Sequence, residues 1–166
     1  TVDSAGDVGR SSSLAFTAQG LPRIAYVDTT HQALKYASFD GTTWSTESLD
    51  APSLVSGTAL ALDALGRPHL ASSTTGTTSG LRHVWHDGTA WRAEQVDGPT
   101  PSTGYQPAIA IDANNRVRIA YGEFTSNRAR LARQTSTGWA LETLWAASGS
   151  TTPGRFSLAV DAQGRS

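Results

Sequence analysis

Leu14-Ala-Phe-Thr-Ala-Gln-Gly-Leu-Pro-Arg-Ile-Ala-Tyr26 returns as Leu60-Ala-Leu-Asp-Ala-Leu-Gly-Arg-Pro-His-Leu-Ala-Ser72, and again as Ile109-Ala-Ile-Asp-Ala-Asn-Asn-Arg-Val-Arg-Ile-Ala-Tyr121. A further copy opens at Leu158-Ala-Val-Asp-Ala-Gln-Gly-Arg165. The copies lie 46, 49 and 49 residues apart. Short apolar runs recurring at such a period are the signature of a propeller blade.

Each unit divides into four runs separated by turn signals. The first unit has Ser13–Thr17, Pro22–Val27, Leu34–Phe39 and Trp44–Leu49. The second has Ala59–Leu62, Pro68–Ser72, Leu81–His86 and Trp91–Val96. The third has Ala108–Ile111, Val117–Tyr121, Leu131–Gln134 and Trp139–Leu144. All have the length of an ordinary strand, and none is long enough for a capped helix, so almost no helix is expected.

The runs differ in character. First runs such as Leu14-Ala15-Phe16 are apolar on consecutive residues, so both faces need cover. Second runs such as Ile119-Ala120-Tyr121 are similar. The fourth run alternates: Trp44, Thr46 and Ser48 point one way, Ser45, Glu47 and Leu49 the other. A gradient from a buried first strand at an axis to a half-wet fourth strand at the rim fits a radial stack of sheets. The expected fold is therefore all-β, a β-propeller built of four-stranded antiparallel blades. It is partial, with about three blades plus single end strands, from a parent on the order of six or seven blades.

The units divide as residues 1–12 for the end of a preceding blade and a loop, then 13–58, 59–107 and 108–156 for three blades. Residues 157–166 hold the first strand of a fourth, all within one propeller domain. With no Met, the chain reads as an excised or processed piece. Its open ends call for the rest of the propeller, or for a second copy that completes the ring. An uncovered arc would leave apolar sheet faces and strand edges bare.

The turns agree with this reading. Asp63-Ala-Leu-Gly66-Arg-Pro68 joins first to second strand, with Ala18-Gln-Gly20-Leu-Pro22 as its counterpart. Gly supplies a positive φ and Pro sets the entry to the next strand. In the third copy Asn114-Asn115 takes the Gly place, Asn being the next best residue there. Asp40-Gly41-Thr-Thr-Trp44 and Asp87-Gly88-Thr-Ala-Trp91 join third to fourth strand, a strong hairpin signal. The third copy has drifted to Ser136-Thr137-Gly138-Trp139.

Ser38-Phe-Asp40-Gly41-Thr-Thr43-Trp44 resembles the Asp-box, or bacterial neuraminidase repeat, of sialidase-type propellers. It lacks the residue between Asp and Gly, and His86-Asp87-Gly88-Thr-Ala-Trp91 keeps only Asp, Gly and Trp of the motif. Unit length and Trp-rich turns also resemble bacterial propeller lectins. The resemblance implies a structural turn role for Asp40, Gly41, Trp44, Asp87, Gly88, Trp91 and Trp139. It implies that the Asp bonds turn amides and the Trp packs between strands. Glu47, Glu94 and Glu142 recur in Trp-x-x-Glu and are read in the same way.

Composition narrows the function. Thirteen basic side chains face fourteen acidic ones, a net charge of −1, so no nucleic-acid partner is expected. Arg128, Arg130 and Arg133 form the densest basic stretch and read as solvated side chains. There is no Cys, which removes disulfides, thiolate catalysis and Cys-bound zinc. No run approaches a membrane span.

No cofactor and no metal site is expected. His83 and His86 stand three apart and face opposite sides of a strand. His69 takes the place of Arg23 and Arg118 and reads as a surface residue. Asp63 and Asp112 lack the further acids of a calcium loop and read as turn caps. No serine sits in Gly-x-Ser-x-Gly. Asp28 and Glu123, in equivalent loops, are the one conceivable carboxylate pair, and glycoside cleavage needs ~5–9 Å between such groups. No Tyr-Glu pair or Arg-Ile-Pro of a sialidase is present.

Recognition fits better than catalysis. The loops Asp28–Gln32, Thr74–Gly80, Glu123–Arg128, Ala51–Thr58, Gly98–Pro107 and Ala146–Phe156 vary most while the opposite turns stay regular. Variable loops on a rigid scaffold carry binding residues. The candidate ligand contacts are His31, Gln32, Tyr105, Glu123, Phe124, Asn127, Arg128 and Trp145; ordinary solvated loops are the alternative. Aromatics beside amide and charged groups suit sugar rings. The expectation is a non-catalytic recognition module, extracellular or at the cell surface, with glycans or a protein as ligand. Two alternatives stand beside it: a fragment of a sialidase-like glycoside hydrolase with its catalytic residues elsewhere, and a structural scaffold.

Overall fold

The computed structural model describes residues 1–49, 55–75, 79–99, 103–147, 154–161 and 165. Twelve strands run through them. They are β1 (Val8–Phe16), β2 (Pro22–Asp28), β3 (Ala33–Phe39), β4 (Trp44–Leu49), β5 (Val55–Leu62) and β6 (Pro68–Thr74). After them come β7 (Gly80–His86), β8 (Trp91–Asp97), β9 (Thr103–Ile111), β10 (Val117–Glu123), β11 (Arg128–Thr135) and β12 (Gly138–Ala146). They form three four-stranded sheets in the orders β1-β2-β3-β4, β5-β6-β7-β8 and β9-β10-β11-β12. Every pair is antiparallel, and every strand pairs with its neighbour in sequence. The described residues contain no helix.

The sheets stack face to face like blades. One core cluster joins Ala25, Val27, Leu34, Tyr36 and Leu49 of the first sheet to Leu60, Leu70 and Val84 of the second. The next joins Ala59, Ala71, Leu81 and Val96 of the second to Ile109, Val117, Ile119, Tyr121 and Ala132 of the third. Adjacent residues of one strand, such as Leu70 and Ala71, serve opposite clusters, because side chains alternate across a sheet. The first strands gather at the axis, where Ser12–Leu14, Thr58–Leu60 and Gln106–Ile109 line one space together with Arg155–Leu158; described residues 154–161, where the first strand of a fourth blade was expected, pair into no sheet. The Ser13 hydroxyl accepts the Leu60 amide there at 3.0 Å.

The burial gradient differs from the expected one. The middle strands are the most enclosed, with every residue of β6 buried. β1 lies largely open, with Leu14 55% and Phe16 60% exposed. A first strand is enclosed only where a sheet stands on each side of it, and no described sheet stands in front of β1. The rim strands β4 and β12 are mostly exposed, as their alternation implies.

First strands also begin upstream of the expected starts, at Val8, Val55 and Thr103. Their leading halves are polar and bulged, so no alternation marks them. Ser11 and Gln106 occupy equivalent bulge positions, each with φ 49°.

The turns hold the repeat together locally. Gly20 and Gly66 both have φ 76°, and Asn115 has φ 58° at the same position. Asp63 Oδ1 accepts the Leu65 and Arg67 amides, and Asp112 Oδ1 accepts those of Asn114 and Arg116. In the fourth copy the Asp161 amide donates to Arg165 O at 2.9 Å, and Asp161 Oδ1 accepts the Arg165 amide at 2.7 Å. In the opposite hairpins Asp40 Oδ1 accepts the Thr42 and Thr43 amides at 2.7 and 2.8 Å. Asp87 Oδ1 accepts those of Thr89 and Ala90 at 2.8 and 2.9 Å. The Thr43 amide, first among these bonds, holds the Asp40 carboxyl far below its ordinary range.

Candidate ligand-binding site at the end of the third sheet

The β10–β11 connection turns at Asn127, whose φ is 49°. Its amide donates to Phe124 O at 3.3 Å, and its carbonyl accepts the Ala147 amide at 3.1 Å. These bonds tie the loop to the end of β12. Register does the rest. Glu123 stands opposite Arg128, Tyr105 opposite Gly122, and Trp145 opposite Ala129. Six of the eight candidate contacts, Tyr105, Glu123, Phe124, Asn127, Arg128 and Trp145, therefore meet at one end of one sheet.

The side chains there have separate characters. Tyr105 and Phe124 meet edge to face, with ring centroids 5.7 Å apart. Phe124 is 44% and Trp145 48% exposed. Arg128 Nη1 lies 3.8 Å from Glu123 Oε2. That oxygen is buried and has no hydrogen-bond partner. Tyr105 and Trp145 share the face of Gly122 and Ala129, and the Glu123–Arg128 pair lies on the opposite face.

His31 and Gln32 do not join this group. They lie on the β2–β3 turn of the first sheet, and the second sheet stands between. Asp28 accepts the His31 amide at 3.0 Å and pairs with His31 Nδ1 at 2.8 Å. Both bonds favour the ionised carboxyl, the amide most, and the Asp28 pKa is lowered. Gln32 is the left-handed residue of that turn, at φ 54°, as Asn127 is in the third sheet. Asp28 and Glu123 thus sit on different sheets and do not flank a common cleft. Of the other variable loops, residues 50–54, 76–78, 100–102 and 148–153 lie outside the described residues.

Several contacts between sheets, and from the N-terminal segment to the first sheet, escaped the reading of single residues. Asp97, at the end of β8, accepts Tyr121 Oη and Arg130 Nη1, each at 2.5 Å. Arg130 is therefore an inter-sheet residue and not a solvated one. Asp3 meets Tyr26 Oη at 2.7 Å and also pairs with Lys35. Trp91 Nε1 donates to Glu47 Oε2 at 3.0 Å, from the second sheet to the first. Trp139 bonds Glu94 in the same sense, from the third sheet to the second. The signal was present, since Tyr26 and Tyr121 hold one repeat position and Asp3 and Asp97 another. His69 is a further correction. It is buried, because the second sheet is covered on both faces.

The described residues contain no cluster of three or more metal-ligating side chains, and no helix long and apolar enough to cross a membrane. No family model matches the chain, and no curated protein matches it. Solved structures do. A fucose lectin from Kordia zhangzhouensis, in complex with methyl-fucoside, is similar with TM-score 0.58 and 15% identity, over 82% of this chain and 99% of that one. A mutant of Aleuria aurantia lectin, in complex with alpha-methyl-L-fucoside, has TM-score 0.58 and 17% identity, over 87% of this chain and 46% of its own. An exo-beta-1,3-galactanase from Phanerochaete chrysosporium has TM-score 0.56 and 9% identity, over 81% of this chain and 38% of its own. The chain spans less than half of the latter two. At these identities the likeness establishes the propeller fold alone.

Proposed function

We propose that this chain is a carbohydrate-recognition part of a β-propeller, with its ligand seated at the β10–β11 end of the third sheet. The observation that carries the reading is the Tyr105–Phe124 ring pair with the half-exposed Trp145, where Tyr105 and Trp145 share one face of the sheet and only Gly122 and Ala129 stand between them. Sugar rings stack their apolar faces on aromatics while their hydroxyls bond polar neighbours. The fold shared with two lectins solved with fucosides supports the class and makes fucosides the first ligands to test. A glycan ligand also agrees with a place outside the cell or on its surface.

Asp28 and Glu123 are held on separate sheets and do not form a carboxylate pair, so a hydrolase reading would need catalytic residues outside this segment. We take the Asp40 and Asp87 hairpins as relatives of the Asp-box, because each Asp caps two turn amides. They serve the fold rather than the ligand.

Titration calorimetry with methyl-fucoside, preceded by a glycan array, tests the proposal. Binding is expected, and Phe124→Ala or Trp145→Ala should weaken it at least tenfold, a loss of about 1.4 kcal/mol. Both side chains are half exposed, so melting temperatures should stay close to that of the parent. An array with no hits and no monosaccharide binding at millimolar concentration would end the proposal.

A further inference from the structure

A line of titratable groups crosses the second sheet where it meets the third. His69 on β6 and His83 on β7 are both buried, with ring centroids 5.2 Å apart and planes at 19°. His69 Nδ1 and His83 Nε2 face each other at 3.0 Å. On the outer side of His83, Nδ1 lies 3.1 Å from Glu94 Oε1. On the outer side of His69, Nε2 lies 3.9 Å from Asp63 Oδ2. The order is carboxylate, imidazole, imidazole, carboxylate. Trp85 stacks on His83 within the sheet, and Trp139 of the third sheet closes over it edge to face. Arg67, bonded to Asp63 at 2.6 Å, is the cation beside the line.

The protons in this line are fixed by elimination. An ionised Glu94 can only accept, so His83 carries its proton on Nδ1. Neutral His83 then offers a lone pair at Nε2, and His69 must donate to it from Nδ1. The second nitrogen of His69 is left bare, facing Asp63.

We infer that His69 and His83 form one buried proton-binding site that takes up a single proton and excludes a second. The first added proton has a ready place on His69 Nε2, pointing at Asp63. Its charge is shared, because the central hydrogen can sit on either nitrogen of the 3.0 Å contact. A second proton would put two hydrogens into that one gap, with two cations in contact. Burial opposes even the first proton and, with His83, pushes the His69 pKa down to about 4.

Long-range proton–nitrogen NMR of the imidazoles in the full 166-residue chain tests the site. Near neutral pH both rings should be neutral and protonated at Nδ1. On acidification their nitrogen shifts should move together, with one midpoint and one proton per molecule while the fold persists. Glu94→Gln keeps an acceptor for His83 and removes the charge, so that midpoint should fall by about one pH unit. Either ring protonated at Nε2 near neutrality overturns the site. So do two separate titrations, no titration before unfolding, or an unmoved midpoint in the variant.

Discussion

His69 shows how one side chain ties stability to pH. Its unperturbed value is 6.5, and in the fold it lies at about 4, burial being the first cause. Above pH 6.5 neither state binds the proton and nothing is lost. Between 6.5 and about 4 the unfolded chain binds it and the folded chain does not, so stability falls as pH falls. The fall should total about 3 kcal/mol. Urea unfolding at a series of pH values checks this, and His69→Gln should flatten the slope in that window. The capping carboxylates Asp40 and Asp87 act in another window. Their pKa values are lowered from 3.8, so their contribution is present above that value and is lost only as pH falls below it.

At the scale of the element, the strands bear on one another through small clearances. Gly104 of β9 has φ 88°, and an added Cβ would stand 2.9 Å from Leu81 Cα in the second sheet. Gly104→Ala should cost about 1–3 kcal/mol in thermal or urea unfolding, because backbone strain and the contact with Leu81 add. Ile119, fully buried in β10, should lose about 2–5 kcal/mol on change to Ala by the same measurement. Most of the strands themselves were legible in the sequence. Apolar runs bounded by Asp, Gly, Asn and Pro placed the cores of all twelve, since those signals are local. The polar openings of β1, β5 and β9 were not legible. Ser11 and Gln106 adopt a positive φ that no residue preference announces, and the bulge they make breaks the alternation. Nor was the burial of His69, which depends on a neighbouring sheet many residues away. For the candidate contacts, what was legible in the sequence is their place along the strands. Antiparallel register carries six residues from three segments to one end of the sheet, on both of its faces, while the His31 amide and Nδ1 engage Asp28 of its own turn.

The molecule as a whole presents unlike outer faces. Leu14 and Phe16 are exposed on the first sheet, and Leu144 on the third. These are the faces that meet other sheets inside the stack, so their exposure favours self-association. The double change Leu14→Ser and Phe16→Ser should reduce concentration-dependent association in sedimentation velocity. Unchanged association would mean that other surfaces bring copies together.

Each sheet is woven from one uninterrupted stretch of chain, and no described strand crosses from one sheet to another. A unit can therefore be copied, deleted or exchanged at the level of the gene without rewiring the hydrogen bonds of its neighbours. Divergence can then proceed unit by unit. The histidine line in the middle unit and the Tyr105–Phe124 pair in the third are differences of that kind between units of one strand pattern.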